Sequence, residues 1–209
     1  MSATAGRRRS AQNGTGEARS VLVTGASGYI GGRLVPGLLE RGHRVRCLAW
    51  DPRKLEPAPW HDAVEVLRAD IAEDLAEAIA EDMAGIEVAV FLVHSIGEGS
   101  DWVAGERTIA ENFRRSAEQA GVRRIVYLGG LRDDDTELSD HLRSRHDVGR
   151  VLAEGPVETV ELRAAVVIGS GSASFEMLRH LEGDPVGGPV AMRLGVGGSW
   201  STVGRTRWG

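Results

Sequence analysis

Thr24-Gly25-Ala26-Ser27-Gly28-Tyr29-Ile30-Gly31 is the stretch whose reading decides the fold of this chain. Its glycines fit the pattern G-x-x-G-x-x-G. Immediately before them stands Ser20-Val-Leu-Val-Thr24, a short apolar run of the kind used for a fully buried parallel strand. Immediately after them Leu34, Val35, Leu38 and Leu39 recur at helical spacing until Gly42 stops the helix. Pro36 falls inside that pattern and predicts a kink or one lost hydrogen bond. Strand, glycine turn and helix in direct succession open a βαβ unit.

The alternation continues downstream. Val45–Leu48 and Val64–Leu67 read as the second and third strands, and Ile71–Met83 as a helix with Leu75, Ala76 and Ile79 on its inner face. Val88–Val93 is the most apolar strand. Glu106–Ala120 is a long helix with Ile109, Phe113 and Ala117 inward, and its charged residues, Glu106 among them, leave no apolar interface evident. Ile125–Leu128, the helix His141–Glu154 and the strand Val157–Leu162 complete the series. Strands and helices joined by short turns predict an α/β fold: a doubly wound parallel sheet in three layers. Right-handed crossovers and a glycine loop after the first strand favour a Rossmann-like sheet in the order 3-2-1-4-5-6.

The two ends read differently from the middle. Residues 1–19 show no periodicity and are expected to be a disordered tail. Residues 20–182 form the predicted domain. Residues 183–209 hold eight glycines and two of the five tryptophans without strand or helix period, so they bury little apolar surface. That end reads as an irregular tail, truncated or foreign to the fold.

Composition narrows the partners. A net charge of −5 leaves no basic surplus to displace phosphate counterions, which excludes a nucleic-acid ligand. No apolar run approaches the ~20 residues of a membrane span. The Arg7-Arg8-Arg9 triplet is followed by polar residues rather than the apolar stretch of a secretion signal. The single cysteine, Cys47, forms no internal disulfide and reads as a small buried side chain in a strand. These features together predict a cytoplasmic protein. No C-x-x-C or H-x-x-x-H spacing points to a metal.

The glycine loop predicts its ligand. Gly25 allows the tight turn, Gly28 lets backbone approach a diphosphate, and Gly31 lets the helix pack closely on the strand. Ser27, Tyr29 and Ile30 lie between them, at the helix N-terminus whose unpaired N–H groups and partial positive charge suit an anion. Asp51, at the end of the second strand, is placed to accept the ribose hydroxyls of NAD. Arg53 and Lys54 beside it suit the 2′-phosphate of NADP, so the expected cofactor is NADP, with NAD the alternative. Asp70 either accepts from the adenine amino group or caps the helix that begins at Ile71. Val93 and His94, with Ser95, follow the fourth strand, in the crevice where open sheets bind ligands. They either line the nicotinamide pocket or satisfy loop backbone.

Val23-Thr-Gly-Ala-Ser-Gly-Tyr-Ile-Gly31 resembles the nucleotide loop of the extended and atypical short-chain dehydrogenase/reductases. Phe91-Leu-Val-His-Ser95, Ile125-Val-Tyr-Leu-Gly-Gly-Leu131, Leu142-Arg-Ser-Arg-His146, Glu161-Leu-Arg163 and Ser174-Phe-Glu-Met-Leu178 look like the NmrA-like, NAD(P)H-binding atypical branch. The likeness covers about residues 20–181; longer members carry a further C-terminal domain. The resemblance implies a Rossmann fold and a nicotinamide cofactor. Catalytic members place a serine after the fifth strand and Tyr-x-x-x-Lys on the next helix. Here those places read Leu128-Gly129-Gly130 and His141-Leu-Arg-Ser-Arg145. His141 is either a proton donor suited to neutral pH or an exposed helix start. Arg145 is either a cofactor contact or part of a charged face.

Three functions remain open from sequence. The first is an NAD(P)-dependent oxidoreductase acting on a small carbonyl or alcohol. The second is a non-catalytic sensor that passes cofactor state to a protein partner. The third is a shortened relative that binds cofactor and does nothing more.

Overall fold

The computed structural model describes residues 17–93, 100–130 and 140–164. Six parallel strands form one sheet: β1 (Ser20–Thr24), β2 (Arg44–Ala49), β3 (Glu65–Arg68), β4 (Val88–Phe91), β5 (Arg124–Gly130) and β6 (Glu158–Ala164). Their order is β3-β2-β1-β4-β5-β6, as expected from the sequence. The chain reverses its direction of travel across the sheet between β1 and β4, where Val21 lies beside Val88 and Val23 beside Val90. A crevice opens beyond the carboxyl ends of these two strands.

Four helices cover the sheet. α1 (Gly31–Leu39) packs on β1 and β2 from one side, while α2 (Ala76–Asp82), α3 (Ser100–Gln119) and α4 (Asp140–Ala153) pack against one another on the other. β1 is central and buried along its whole length. The layer under α1 is filled by Val21, Val23, Val35, Val45, Cys47 and Leu55. The opposite layer centres on Leu22, Ile79, Phe91, Phe113, Ile125 and Leu152. Phe91 joins the two sequential halves there, its ring 4.8 Å from that of Phe113 and 6.1 Å from that of Tyr127. Tilted aromatic pairs of this kind add to the apolar burial itself. Pro36 is accommodated inside α1, whose last turn still closes with Glu40 N–H on Pro36 O at 2.9 Å.

One sequence expectation fails locally. The helix predicted over Ile71–Met83 begins only at Ala76, because side chains capture the preceding backbone. Asp70 accepts from Ala72 N–H at 3.0 Å, and Asp74 accepts from Asp70 N–H at 2.7 Å. Such local bonds compete with helical ones. Leu75 is consequently extended and 73% exposed rather than inward. The buried face of α2 is Ala76, Ile79 and Met83 instead.

Glu106 departs from the charged character of its helix: it is 6% exposed, on the buried stripe with Ala110, Phe113 and Ala117. Of the two predicted tails, residues 1–16 of the first and all of 183–209 lie outside the described residues. Among those described, no helix is long and apolar enough to cross a membrane.

Candidate functional site

The glycine loop takes the shape its sequence requires. Gly25 has φ +67°, a left-handed conformation that a side chain would strain, and a Cβ there would sit 2.9 Å from Leu92 O. A Cβ on Gly31 would overlap the Gly25 carbonyl oxygen and come within 2.6 Å of Ala26 Cα. The helix therefore packs on the strand only as glycine allows. Gly28 N–H donates to Gly25 O at 3.0 Å, and Gly28 O accepts from Gly32 N–H at 2.9 Å. Helical bonding thus starts at Gly28. The amides of Tyr29, Ile30 and Gly31 form the first turn, where no intrahelical acceptor exists for them.

Thr24 anchors this loop to the neighbouring strand. Its hydroxyl, wholly buried, donates to Val90 O at 3.2 Å and accepts from Leu92 N–H at 3.1 Å. The loop after β1 and the segment after β4 are held together, and they form the floor of one cleft of about 500 Å³. Gly25, Ser27, Gly28, Tyr29, Ile30, Gly31, Asp51, Lys54, Asp70, Ile71, Val93 and Arg145 all line it. Residues chosen from five separate stretches of sequence meet around a single space.

At one end of the cleft Asp51 follows β2. Its carboxylate caps the short 3-10 turn Pro52–Lys54 through Arg53 N–H at 3.3 Å and takes the Arg53 guanidinium at 2.8 and 3.1 Å. The hydrogen bonds and charge of Arg53 hold the Asp51 carboxyl below the usual carboxylate range, and Asp51 raises the guanidinium in turn. Arg53 itself does not line the cleft; its side chain is 81% exposed and folded back onto Asp51. Across from it, Asp70 and Ile71 are steadied by Asn112 of α3, whose amide donates to Ile71 O and Asp74 O, both at 2.8 Å.

The other end lies between α3, α4 and the ends of β4 and β5. Leu92, Ile109 and Val148 make its walls apolar, while Glu106, Tyr127 and Arg145 bring polar atoms. Glu106 accepts a hydrogen bond from Ser144. The Tyr127 hydroxyl donates to Arg145 O at 3.0 Å, and burial pushes its pKa well above the ordinary tyrosine value. The hydroxyl thus ties β5 to α4, with its proton directed at a backbone carbonyl. Gly129 and Gly130 stand where the resemblance implies a serine, as the sequence already indicated.

His141 lies on the first turn of α4 with its side chain outside the described residues, and His94 lies outside them altogether. Trp50, Glu106 and Tyr127 line the cleft without having been singled out from sequence. Glu106 carried a signal: it falls in phase with Ala110, Phe113 and Ala117 along α3. Among the described residues no group of three or more His, Cys, Asp or Glu could hold a metal ion.

Comparison with known proteins agrees with this geometry. A family model described as NAD(P)H-binding matches residues 25–163, more than half of the chain. A 3 beta-hydroxysteroid dehydrogenase/Delta 5-->4-isomerase of Mycobacterium tuberculosis is 33% identical over 162 residues, covering 67% of this chain and 42% of that protein. Cinnamoyl-CoA reductase 1 of Oryza sativa subsp. japonica is 32% identical over 122 residues, covering 55% of this chain and 35% of that one. The chain thus spans less than half the length of these curated relatives. Among solved structures, an NAD-dependent epimerase/dehydratase of Bacillus halodurans, described as putative in its source, aligns with a TM-score of 0.64 at 20% identity. That alignment covers 75% of this chain and 74% of the other. The Citrobacter triphenylmethane reductase complexed with NADP(H) aligns at 0.58 and 20% identity over 70% and 50% of the two chains. The Rossmann-like fold is thereby borne out, as is the short-chain dehydrogenase/reductase resemblance.

Proposed function

The chain belongs to the NAD(P)H-binding family, and on that premise we propose that it is an NAD(P)H-dependent oxidoreductase acting on a small carbonyl or alcohol substrate. The observation that carries this reading is the single cleft, which runs from the glycine loop past Asp51 and Lys54 at one end to Arg145 at the other. The loop fits a dinucleotide diphosphate: Gly25 and Gly31 hold the backbone where no side chain is tolerated, and the first-turn amides of α1 supply donors. Asp51 and Asp70 would hold the adenosine half, and Val93 and Arg145 the nicotinamide half. Lys54, which lines the cleft, favours the 2′-phosphate of NADP, whereas Arg53 acts through Asp51. When bound, the dinucleotide supplies a hydride. The chain's own part is to exclude water with Leu92, Ile109 and Val148 and to orient the reacting groups. A lone cysteine kept as a thiol inside β2 suits the reducing cytoplasm, which we take as its setting.

Titration of the purified protein with NADPH and NADH, following nicotinamide fluorescence, tests the reading. Tight binding that Gly28→Asp abolishes supports the site, since a Cβ on Gly28 already meets Gly25 O at 3.2 Å and the added carboxylate repels the diphosphate. Absence of binding by either cofactor overturns it. Loss of cofactor oxidation in His141→Ala would give that residue the acid/base role; unchanged turnover removes it.

One observation favours a second reading, a cofactor sensor without turnover. Tyr127 is tied to backbone, and glycines occupy the expected serine place. The sensor reading requires a protein partner captured in one cofactor redox state and not in the other. An identical set of partners in both states overturns it.

A further inference from the structure

Trp50 is 58% exposed, although it directly follows β2, in which Val45, Cys47 and Leu48 are buried. Phe91, Phe113 and Tyr127 all lie in the core, so a large indole left open at the cleft is not there for packing. It directly precedes Asp51 and faces the same space as Lys54, Asp70 and Ile71. Four residues on, the 3-10 turn brings the Lys54 ammonium back over the indole, with Nζ 4.1 Å from the ring centroid. A flat aromatic face therefore lies beside a carboxylate suited to ribose hydroxyls, with a cation resting on it.

We infer that the Trp50 indole is the stacking platform for the adenine of the dinucleotide, and that adenine and Lys54 compete for it. The inference rests on the cofactor reading given above and adds to it the residue that grips the base. Every purine offers a π face, and stacking on an indole is the stronger of the two contacts, because an exposed cation–π pair is weak. Adenine therefore displaces the ammonium. The displaced Lys54 remains tethered within reach of the ribose and needs an anion. A 2′-phosphate supplies one, and a 2′-hydroxyl does not. Competition for one ring thus becomes preference for the phosphorylated cofactor, with Asp51 kept partly neutralised by Arg53 so that it does not repel that phosphate.

The test uses the full chain and its Trp50→Ala, Trp50→Phe and Lys54→Ala variants. Adenosine 2′,5′-bisphosphate and adenosine 5′-monophosphate are titrated calorimetrically, and NADPH and NADH by nicotinamide fluorescence. Trp50→Ala is expected to weaken both adenosine probes by about tenfold or more, and Trp50→Phe to restore most of that loss. Lys54→Ala is expected to weaken the bisphosphate while leaving the monophosphate unchanged or tighter, since its base no longer displaces a cation. A Trp50→Ala protein that binds both probes within twofold of wild type overturns the inference while leaving the cofactor reading intact. So does a Trp50→Phe protein as weak as Trp50→Ala. A wild-type protein that binds none of the four ligands overturns both readings.

Discussion

Oε2 of Glu106 on α3 accepts a hydrogen bond of 2.5 Å from Oγ of Ser144 on α4. Both side chains are buried, at 6% and 1% exposure, and Glu106 also lines the cleft. The bond joins the two helices that flank the end of the cleft lined by Arg145, one residue before that arginine. A buried carboxylate that loses its donor bears a desolvation penalty, whereas an exposed one is rescued by water.

Ser144→Ala is therefore expected to lower the unfolding free energy by about 1–3 kcal/mol, with a parallel loss of NADPH affinity as α4 shifts. Glu106→Gln keeps a carbonyl oxygen for the serine and should cost less. Urea midpoints of the two variants check this. Equal stability of Ser144→Ala and wild type would mean that the pair does not tie the helices together.

The frame of the protein was readable from periodicity, and the misreadings have physical causes. β1, the glycine loop and α1 were legible because each obeys a local rule, and the strand order followed from chirality and the switch point. The start of α2 was not, because Asp70 and Asp74 divert backbone donors in a way no apolar pattern reports. The burial of Glu106 is masked by its charge, although its phase along α3 is that of the core, and Ser144, its partner, lies 38 residues away in sequence. Trp50 carries no local signal, because strand alternation does not say where a strand ends. Cleft residues on local motifs were found; those defined by a tertiary partner were not.

The Asp51–Arg53 pair makes its end of the cleft sensitive to acid. Asp51 titrates below its ordinary value in the folded protein, chiefly through its hydrogen bonds with Arg53. Its contribution to stability is present above the unfolded carboxylate pKa of ~3.9 and is lost as pH falls through the lower folded value. Arg53→Ala should bring the Asp51 carboxyl back up toward the ordinary range, as followed by NMR of its side-chain carbon. The same variant frees the carboxylate for ribose hydroxyls, so NADH should gain on NADPH in direct titration. An Asp51 titration unchanged by the substitution would dissociate the two side chains in solution.

Cys47 offers a measure of global opening. Its thiol is wholly buried in β2 between two paired strands, and burial pushes its pKa up to about 12. The reactive thiolate is thus doubly suppressed in the native state. As the chain has a single cysteine, a thiol reagent at pH 8 should label the native protein only at the rate at which it unfolds, and at once in denaturant. NADPH should slow that labelling by a factor of one plus the ratio of its free concentration to its Kd. Fast labelling of the native protein would show that β2 opens locally, independently of the rest of the sheet.

Tyr127 separates the structural from the catalytic account of the cleft. Its hydroxyl donates to Arg145 O at 3.0 Å, and its phenol is buried against Phe91 with its ionisation strongly opposed. Removing the hydroxyl leaves the ring packing in place and takes away one hydrogen bond, so Tyr127→Phe should cost about 0.5–1.5 kcal/mol of stability. NADPH affinity should stay within a few fold of wild type, and any turnover found with a carbonyl substrate should keep its pH profile. A proton donor behaves otherwise: its loss would cost at least about a hundredfold in kcat and erase one limb of the profile. Such a loss would mean that substrate binding draws the hydroxyl away from Arg145 O. It would give this site a tyrosine acid on β5 rather than on α4.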